Sequence, residues 1–304
     1  MNALLSVLAY VIIIVMGVLL KQFKLVPSDL SRPVGFLILN ITLPCAIVTF
    51  LTGVTLPLSL LLTILIPFLT TWLMIGVAWL LNFRRPDAEK AVPFAMLNMS
   101  SYNVGTFAMP FTAGLVSPMG FLAVCLFDVG NSVMCTGGTY AFICRGKGSA
   151  KDTLVNVART LSHSIPLWTY MIVIALSFTT ITIPKPVLHI FEVIGNANSF
   201  LSMLFIGLSI NLSINWSRFG NLLWLMVVRY VVNAVIAAAL YFWLPFPLEI
   251  RQSVVLALMA PLPVMGIIFS MKAKLNWEDA ANINSVSVIV SIVIMCTLLS
   301  VFTS

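Results

Sequence analysis

Ten apolar runs follow one another along this chain with only short polar connections between them. A helix that crosses the hydrocarbon core of a bilayer needs roughly 17–25 predominantly apolar residues. On that rule the runs are 3–20, 34–52, 57–81, 91–115, 119–143, 162–182, 187–211, 221–242, 250–272 and 281–302. Soluble domains carry about 25% charged residues; here the figure is 8%, with a mean hydropathy of +1.10. The chain is therefore read as an all-α integral membrane protein. Of its 304 residues, no stretch is left for a soluble domain of ordinary size.

Composition also removes several chemistries. The cysteines Cys45, Cys125, Cys135, Cys144 and Cys296 lie in or beside apolar runs, without C-x-x-C spacing, and read as small core residues. His163 and His189 are far apart, so no metal site is expected. The net charge of +7 sits in short loops, which is not a nucleic-acid footprint, and no nucleic-acid partner is expected. A Walker A motif is absent, so ATP hydrolysis is not expected; no cofactor is expected beyond a coupling proton or sodium ion. Lys21 and Lys24 follow the first apolar run instead of preceding it. That order argues for a retained first helix over a cleaved signal.

Basic residues set the orientation. Thirteen of the 16 Lys and Arg residues fall in odd-numbered loops, and only Lys185 and Arg251 fall in even-numbered ones. Cytoplasmic loops hold the excess of positive charge. The odd loops are then cytoplasmic and both termini lie outside a cell (inner or plasma) membrane. The longest polar stretch divides the chain into a first five-helix repeat (1–145), a linker (146–160) and a second five-helix repeat (161–304). With five spans in each half, the second half enters the membrane upside down, as an inverted repeat does.

Spans four and nine carry the most informative sequence. Asn98-Met-Ser-Ser-Tyr-Asn-Val-Gly-Thr-Phe-Ala-Met-Pro110 places two asparagines, two serines, a threonine, a glycine and a proline inside an apolar run. Pro261-Leu-Pro-Val-Met-Gly266 interrupts the matching run of the other half. A broken helix survives at membrane depth where protein or a water-filled cavity surrounds it. One reading is a kinked helix packed closely on a neighbour. The pairing of the breaks favours the other, a transporter site. Each break exposes a half-helix N-terminus, with free N–H groups and partial positive charge. The expected ligand is a small organic anion, contacted by Ser100, Ser101, Asn103 and Gly105 from one side and by Pro261, Pro263 and Gly266 from the other.

Asp128 falls about ten residues into span five, roughly 15 Å deep. An acid at that depth is a candidate functional group, and Asn131 shares its helix face. Asp128 is read either as a proton or cation coupling site, or as a structural acid bonded to Asn282, Asn284 and Ser285 of span ten. Asn284 is thus a candidate for coupling or gating with Asp128 and Asn131. Asn40 in span two either lines the pocket or bonds its own backbone near Pro44. Arg229 is expected to snorkel to the interface, Glu192 to be wetted or paired, and Gly207 and Ser209 to serve helix packing.

These segments carry a resemblance. Ala260-Pro-Leu-Pro-Val-Met-Gly-Ile-Ile-Phe-Ser-Met-Lys-Ala-Lys-Leu-Asn276 and Asn284-Ser-Val-Ser-Val, with Val228-Arg229-Tyr230, Leu39-Asn-Ile-Thr-Leu-Pro44, Asn103-Val-Gly105 and Phe127-Asp-Val-Gly-Asn131, resemble the auxin efflux carrier family, and within it the bacterial carriers of malate and malonate. The resemblance implies ten helices in a sodium–proton-antiporter-like fold, with the broken helices four and nine crossed at the site. It implies a scaffold of spans one, two, six and seven, through which protomers pair as a homodimer, and transport helices three to five and eight to ten. Family members bind the substrate carboxylate with a proline and an asparagine at the crossover. Here Asn103 lacks the preceding proline and Pro263 lacks the following asparagine, which departs from the auxin-type pattern.

The function expected is a secondary transporter or uniporter for a small organic anion in the lipid bilayer, a dicarboxylate or an auxin-like carboxylate, working by elevator-like or rocking alternating access, with proton coupling through Asp128. The alternatives are a sodium-coupled symporter of the bile-acid type and a non-transporting sensor of the same fold. With one mid-membrane acid and no mid-membrane histidine, an intramembrane enzyme is not expected.

Overall fold

A computed structural model describes residues 2–27, 29–54, 57–113, 115–144, 155, 159, 162–179, 183–210 and 219–303. Most of the linker 146–160 lies outside these residues. Among the described residues the regular structure is entirely helical. We number the helices α1 (Asn2–Gln22), α2 (Ser31–Leu51), α3 (Leu58–Asn82), α4 (Ala88–Met99), α5 (104–112), α6 (Pro118–Ile143), α7 (Ile165–Ser177), α8 (Lys185–Ser209), α9 (Phe219–Trp243), α10 (Leu248–Leu258), α11 (Met265–Lys272) and α12 (Trp277–Thr303).

Six of these segments are long and apolar enough to cross a membrane: Ser31–Leu51, Leu58–Asn82, Pro118–Ile143, Lys185–Ser209, Leu222–Trp243 and Trp277–Phe302. The other four runs read from the sequence differ in kind. Leu8–Gln22 and Ile165–Ser177 are shorter apolar helices. The fourth and ninth are each interrupted, α4 from α5 by 100–103 and α10 from α11 by 259–264. The protein is membrane-embedded on these grounds, and many large apolar side chains point outward, such as Ile12, Leu69, Phe242 and Val293.

Local signals explain the ends. Ser117 caps α6 by accepting from Gly120 N–H at 3.0 Å, and Pro118 follows at a position where no N–H is needed. Ser164 caps α7 in the same way, with Pro166 in its first turn. Lys24 and Lys274 take left-handed backbone angles (φ 54° and 57°) just past α1 and α11. There Leu25 N–H reaches Leu20 C=O and Leu275 N–H reaches Ser270 C=O, closing each helix in a Schellman-type turn.

Packing gathers the helices into two sets. Helices α1 and α2 pack with α8 and α7 packs with α2, while α3 to α6 and α9 to α12 pack among themselves. In lipid there is no hydrophobic drive between helices, so close backbone approach at small residues carries association. Gly17 and Gly207 bring α1 onto α8: a Cβ on Gly17 would lie 2.7 Å from Leu204 O, and one on Gly207 would overlap Ile14 O. Gly130 of α6 likewise meets Ile64 O of α3. Gly207 therefore serves helix packing, as the sequence suggests. Gly76, by contrast, faces open space.

Gly207→Val is expected to lower stability by about 1–3 kcal/mol through overpacking, read as a lower thermal midpoint of the purified protein in detergent. Gly76→Ala should leave the midpoint unchanged or raise it, since a helical glycine costs about 0.5–1 kcal/mol relative to alanine. Equal midpoints for wild type and Gly207→Val would contradict the contact.

Candidate functional site at the paired helix breaks

The two interruptions meet. Asn103 N–H donates to Pro261 C=O at 3.0 Å, joining the first break to the second. Prolines at 261 and 263 remove donors and prevent α10 from running on into α11. Buried polar backbone must still find partners, and neighbouring helices supply them. Asn131 of α6 holds Tyr102 on both sides: its Oδ1 accepts from Tyr102 N–H at 3.0 Å and its Nδ2 donates to Tyr102 C=O at 2.8 Å. In the second break, Asn284 of α12 donates to Leu262 C=O at 2.7 Å, and Ser287 Oγ accepts from Leu262 N–H at 3.0 Å. Ser291 adds a bond to Met259 C=O at 2.7 Å. Asn131 and Asn284 thus do the same job for the two breaks.

Arg229 corrects the sequence expectation. It does not snorkel: it is 0% exposed. Its guanidinium donates to Met99 C=O and, at 3.2 Å, to Ala260 C=O. It also lies over the Tyr102 ring, 4.9 Å from the centroid. These carbonyls stand at the C-terminal ends of α4 and α10, where unpaired oxygens and partial negative charge accumulate. A single planar fork answers both ends. Asn233, one turn along α9, donates to Leu258 C=O at 3.1 Å and accepts from Tyr102 Oη at 3.1 Å. Length of the span suggested an escape route to water; convergence of two helix ends made the interior the better place.

Beside the breaks lies a cavity of about 770 Å³. All three π-helical segments among the described residues border it: 38–42 through Leu39 and Asn40, 104–108 through Gly105 and Thr106, and 134–138 through Cys135 and Thr136. A π-turn widens the helix and disturbs its hydrogen-bond ladder, and such turns recur at functional sites. Gly137 allows the third, with φ at 155°. The half-buried Asp128 carboxylate faces this cavity. Its Oδ1 lies 3.4 Å from Asn131 Nδ2, and its Oδ2 lies 3.3 Å from where a Gly105 Cβ would be. The Gly105 backbone and Ser132 also bond to it. Arg159, His163 and Ser164 line the same cavity from the connector before α7, where Arg159 and His163 are exposed.

Of the residues named from the sequence, Asn40, Asn103, Gly105, Asp128, Asn131 and Pro263 line the cavity. Asn40 also donates to its own backbone at Phe36 C=O, 2.8 Å away, so both readings of it hold. The others stand aside. Ser100 is buried and bonds Met96 C=O at 2.6 Å. Ser101 is buried, and Pro261 presents its carbonyl to Asn103. Gly266 packs against α4, where a Cβ would lie 2.7 Å from Asn98 Oδ1. Asn284 secures backbone and is not among the groups bonded to Asp128. The partners of Asp128 come from its own helix and from Gly105, because the first break, and not span ten, passes beside it. Glu192 is exposed and near His189, at 3.5 Å.

Sequence reasoning missed Ser132, Cys135, Thr136, Thr106, Arg159 and His163. Ser132 and Thr136 follow Asp128 at helical spacing, i+4 and i+8, a signal that was present. Nothing local marks Arg159 or His163. A second hollow, of about 660 Å³, opens among Asn82, Arg85, Asp87, Lys90, Lys274 and Asp279. Its charges are those of the loops: Arg85 bonds Asp87 at 2.9 Å and holds that carboxyl below its usual range. The buried, hydrogen-bonded groups of the first cavity make it the better site candidate. No family model matches the chain, and no curated protein does either.

Arg229→Ala is expected to leave two buried carbonyls unpaired, at about 1–3 kcal/mol each, and Arg229→Lys to recover part of that loss. Thermal unfolding in detergent measures both. An Arg229→Ala protein as stable as wild type would remove the guanidinium from this role.

Proposed function

We propose that the chain is a secondary transporter for a small organic anion, and that the cavity beside the breaks is its binding site. The carrying observation is the Asn103–Pro261 bond, which joins two interrupted helices at the wall of a cavity. Paired discontinuous helices with exposed backbone are what a midplane transporter site requires. The same reading takes α4 with α5 and α10 with α11 as spans four and nine of ten, in a five-plus-five inverted repeat of the sodium–proton-antiporter-like type. Equivalent clamps by Asn131 on one break and Asn284 on the other support it.

The resemblance to the auxin efflux carrier family, bacterial organic-acid type, belongs to this proposal. So do the repeats at 1–145 and 161–304, both termini outside the cell membrane, and a homodimer formed by the scaffold. Packing of α1, α2, α7 and α8 as one set, and of the remaining helices as another, supports a scaffold and a moving unit. Arg159 and His163 come from the connector that the charge bias puts on the cytoplasmic side, so the cavity is read as open to the cytoplasm. Asp128 is the coupling group in this reading, with proton or sodium as the ion.

The test is tracer uptake of malate, malonate and indole-3-acetate into proteoliposomes. Saturable uptake of one acid is expected, with Asn103→Ala and Pro263→Ala each reducing it by about tenfold, the worth of one lost site contact, while the remote Glu192→Gln leaves it intact. Uptake that needs sodium and ignores pH would favour the bile-acid-symporter alternative. Binding without flux would make the protein a sensor.

A further inference from the structure

The cavity contains a feature that an anion carrier must overcome. Its interior carboxylate is Asp128, and the groups around that carboxylate are donors: Asn131 Nδ2, the Gly105 backbone N–H and the Ser132 hydroxyl. A Cβ on Gly105 would lie 3.3 Å from Oδ2, so the carboxylate sits close beside this bare backbone. Donors of this kind, on bare backbone and a fixed amide, are the ones an incoming carboxylate would use. The protein's own carboxylate already has them. Two ionised carboxylates sharing one site repel, and one of them must be neutral.

We propose that Asp128 is a built-in competitor for the substrate's carboxylate. In the empty protein it occupies the donors at Gly105 and Asn131, and an organic acid binds there only when Asp128 has taken a proton and given up those donors. This rests on reading the cavity as an organic-anion site, and it names the coupling: one proton bound with each substrate molecule. The proton comes from the solvent that reaches the cavity, and it leaves to solvent when substrate leaves and Asp128 returns to its donors.

Among the described residues, the other ionisable groups facing Asp128 are Cys125 and Cys135 on its own helix, Tyr102 in the break and Tyr170 on α7. Arg159 and His163 stand in the same cavity, on the connector side. Arg229 turns its donors to Met99 and Ala260, with the Tyr102 ring beside it. His163 shares the cavity with Asp128, which makes His163→Gln the necessary control.

The experiment is calorimetric titration of the full-length protein in detergent with malate, malonate and indole-3-acetate. It runs between about pH 6.5 and 8.5, where ordinary carboxylic acids stay ionised, in two buffers of different protonation enthalpy. In wild type, binding of the acid that is recognised should weaken by about tenfold per pH unit at the alkaline end, with about one proton taken up per acid bound. Asp128→Asn should bind at least about tenfold tighter there, with no proton uptake. Ser132→Ala keeps the carboxylate but removes one donor to it. Its proton is then held to higher pH, and binding should persist further into the alkaline range. His163→Gln should keep the wild-type slope.

A slope and uptake unchanged in Asp128→Asn, or lost in His163→Gln alone, overturn the competitor role and leave the anion site standing. Folded wild type and variants that bind none of the acids at any pH overturn the anion reading, and the competitor role with it.

Discussion

Everything at the centre of this molecule depends on one cation placed where two helices stop. An interrupted helix leaves its last carbonyls unpaired and partly negative, and membrane depth offers little water to answer them. Bringing two such ends together would concentrate that charge. Arg229 resolves it with two arms of one guanidinium, to Met99 and Ala260. Among the described residues no acid pairs with it, and its burial becomes tolerable because the two helix ends supply the negative field. Asn233 and Tyr102 tie the same α9 face into both breaks.

The remaining open backbone is closed from the other side. Asn131 pairs with Tyr102, and Asn284 and Ser287 with Leu262, so α6 and α12 each secure one break. With those groups satisfied, the breaks become rigid walls. Rigid walls matter to a binding site, since geometry held by surrounding packing does not have to be bought from the ligand. The π-turns at 38–42, 104–108 and 134–138 then border the space on the cavity side.

Charge is distributed accordingly. The cation of the site faces carbonyls and is sealed from the cavity, whereas the acid faces the cavity. Arg159 and His163 stand on the connector side. An anion approaching from that side meets positive charge first and a carboxylate last. In the proposed organic-anion carrier, that order would gather substrate readily and hold it only on protonation of Asp128.

Several features were legible from the sequence because they are local. Hydropathy marks the apolar runs, and proline, glycine and asparagine mark where helix cannot continue. Asn103, Gly105, Asp128, Asn131 and Pro263 were therefore recognisable as residues worth placing, and the structure gathers them around one cavity. Ser100, Ser101 and Gly266 looked the same by composition, but their helix faces turn into protein. Span length suggested snorkelling for Arg229 and could not reveal that Met99 and Ala260, 130 and 31 residues away, converge on it. Nor could it show that Asp128 would meet Gly105 instead of Asn284. The sequence by itself determined that the chain lies in a membrane, and where its helices break. Which buried polar groups became each other's partners was decided by the tertiary structure, because a backbone carbonyl without water takes whichever donor packing brings within reach.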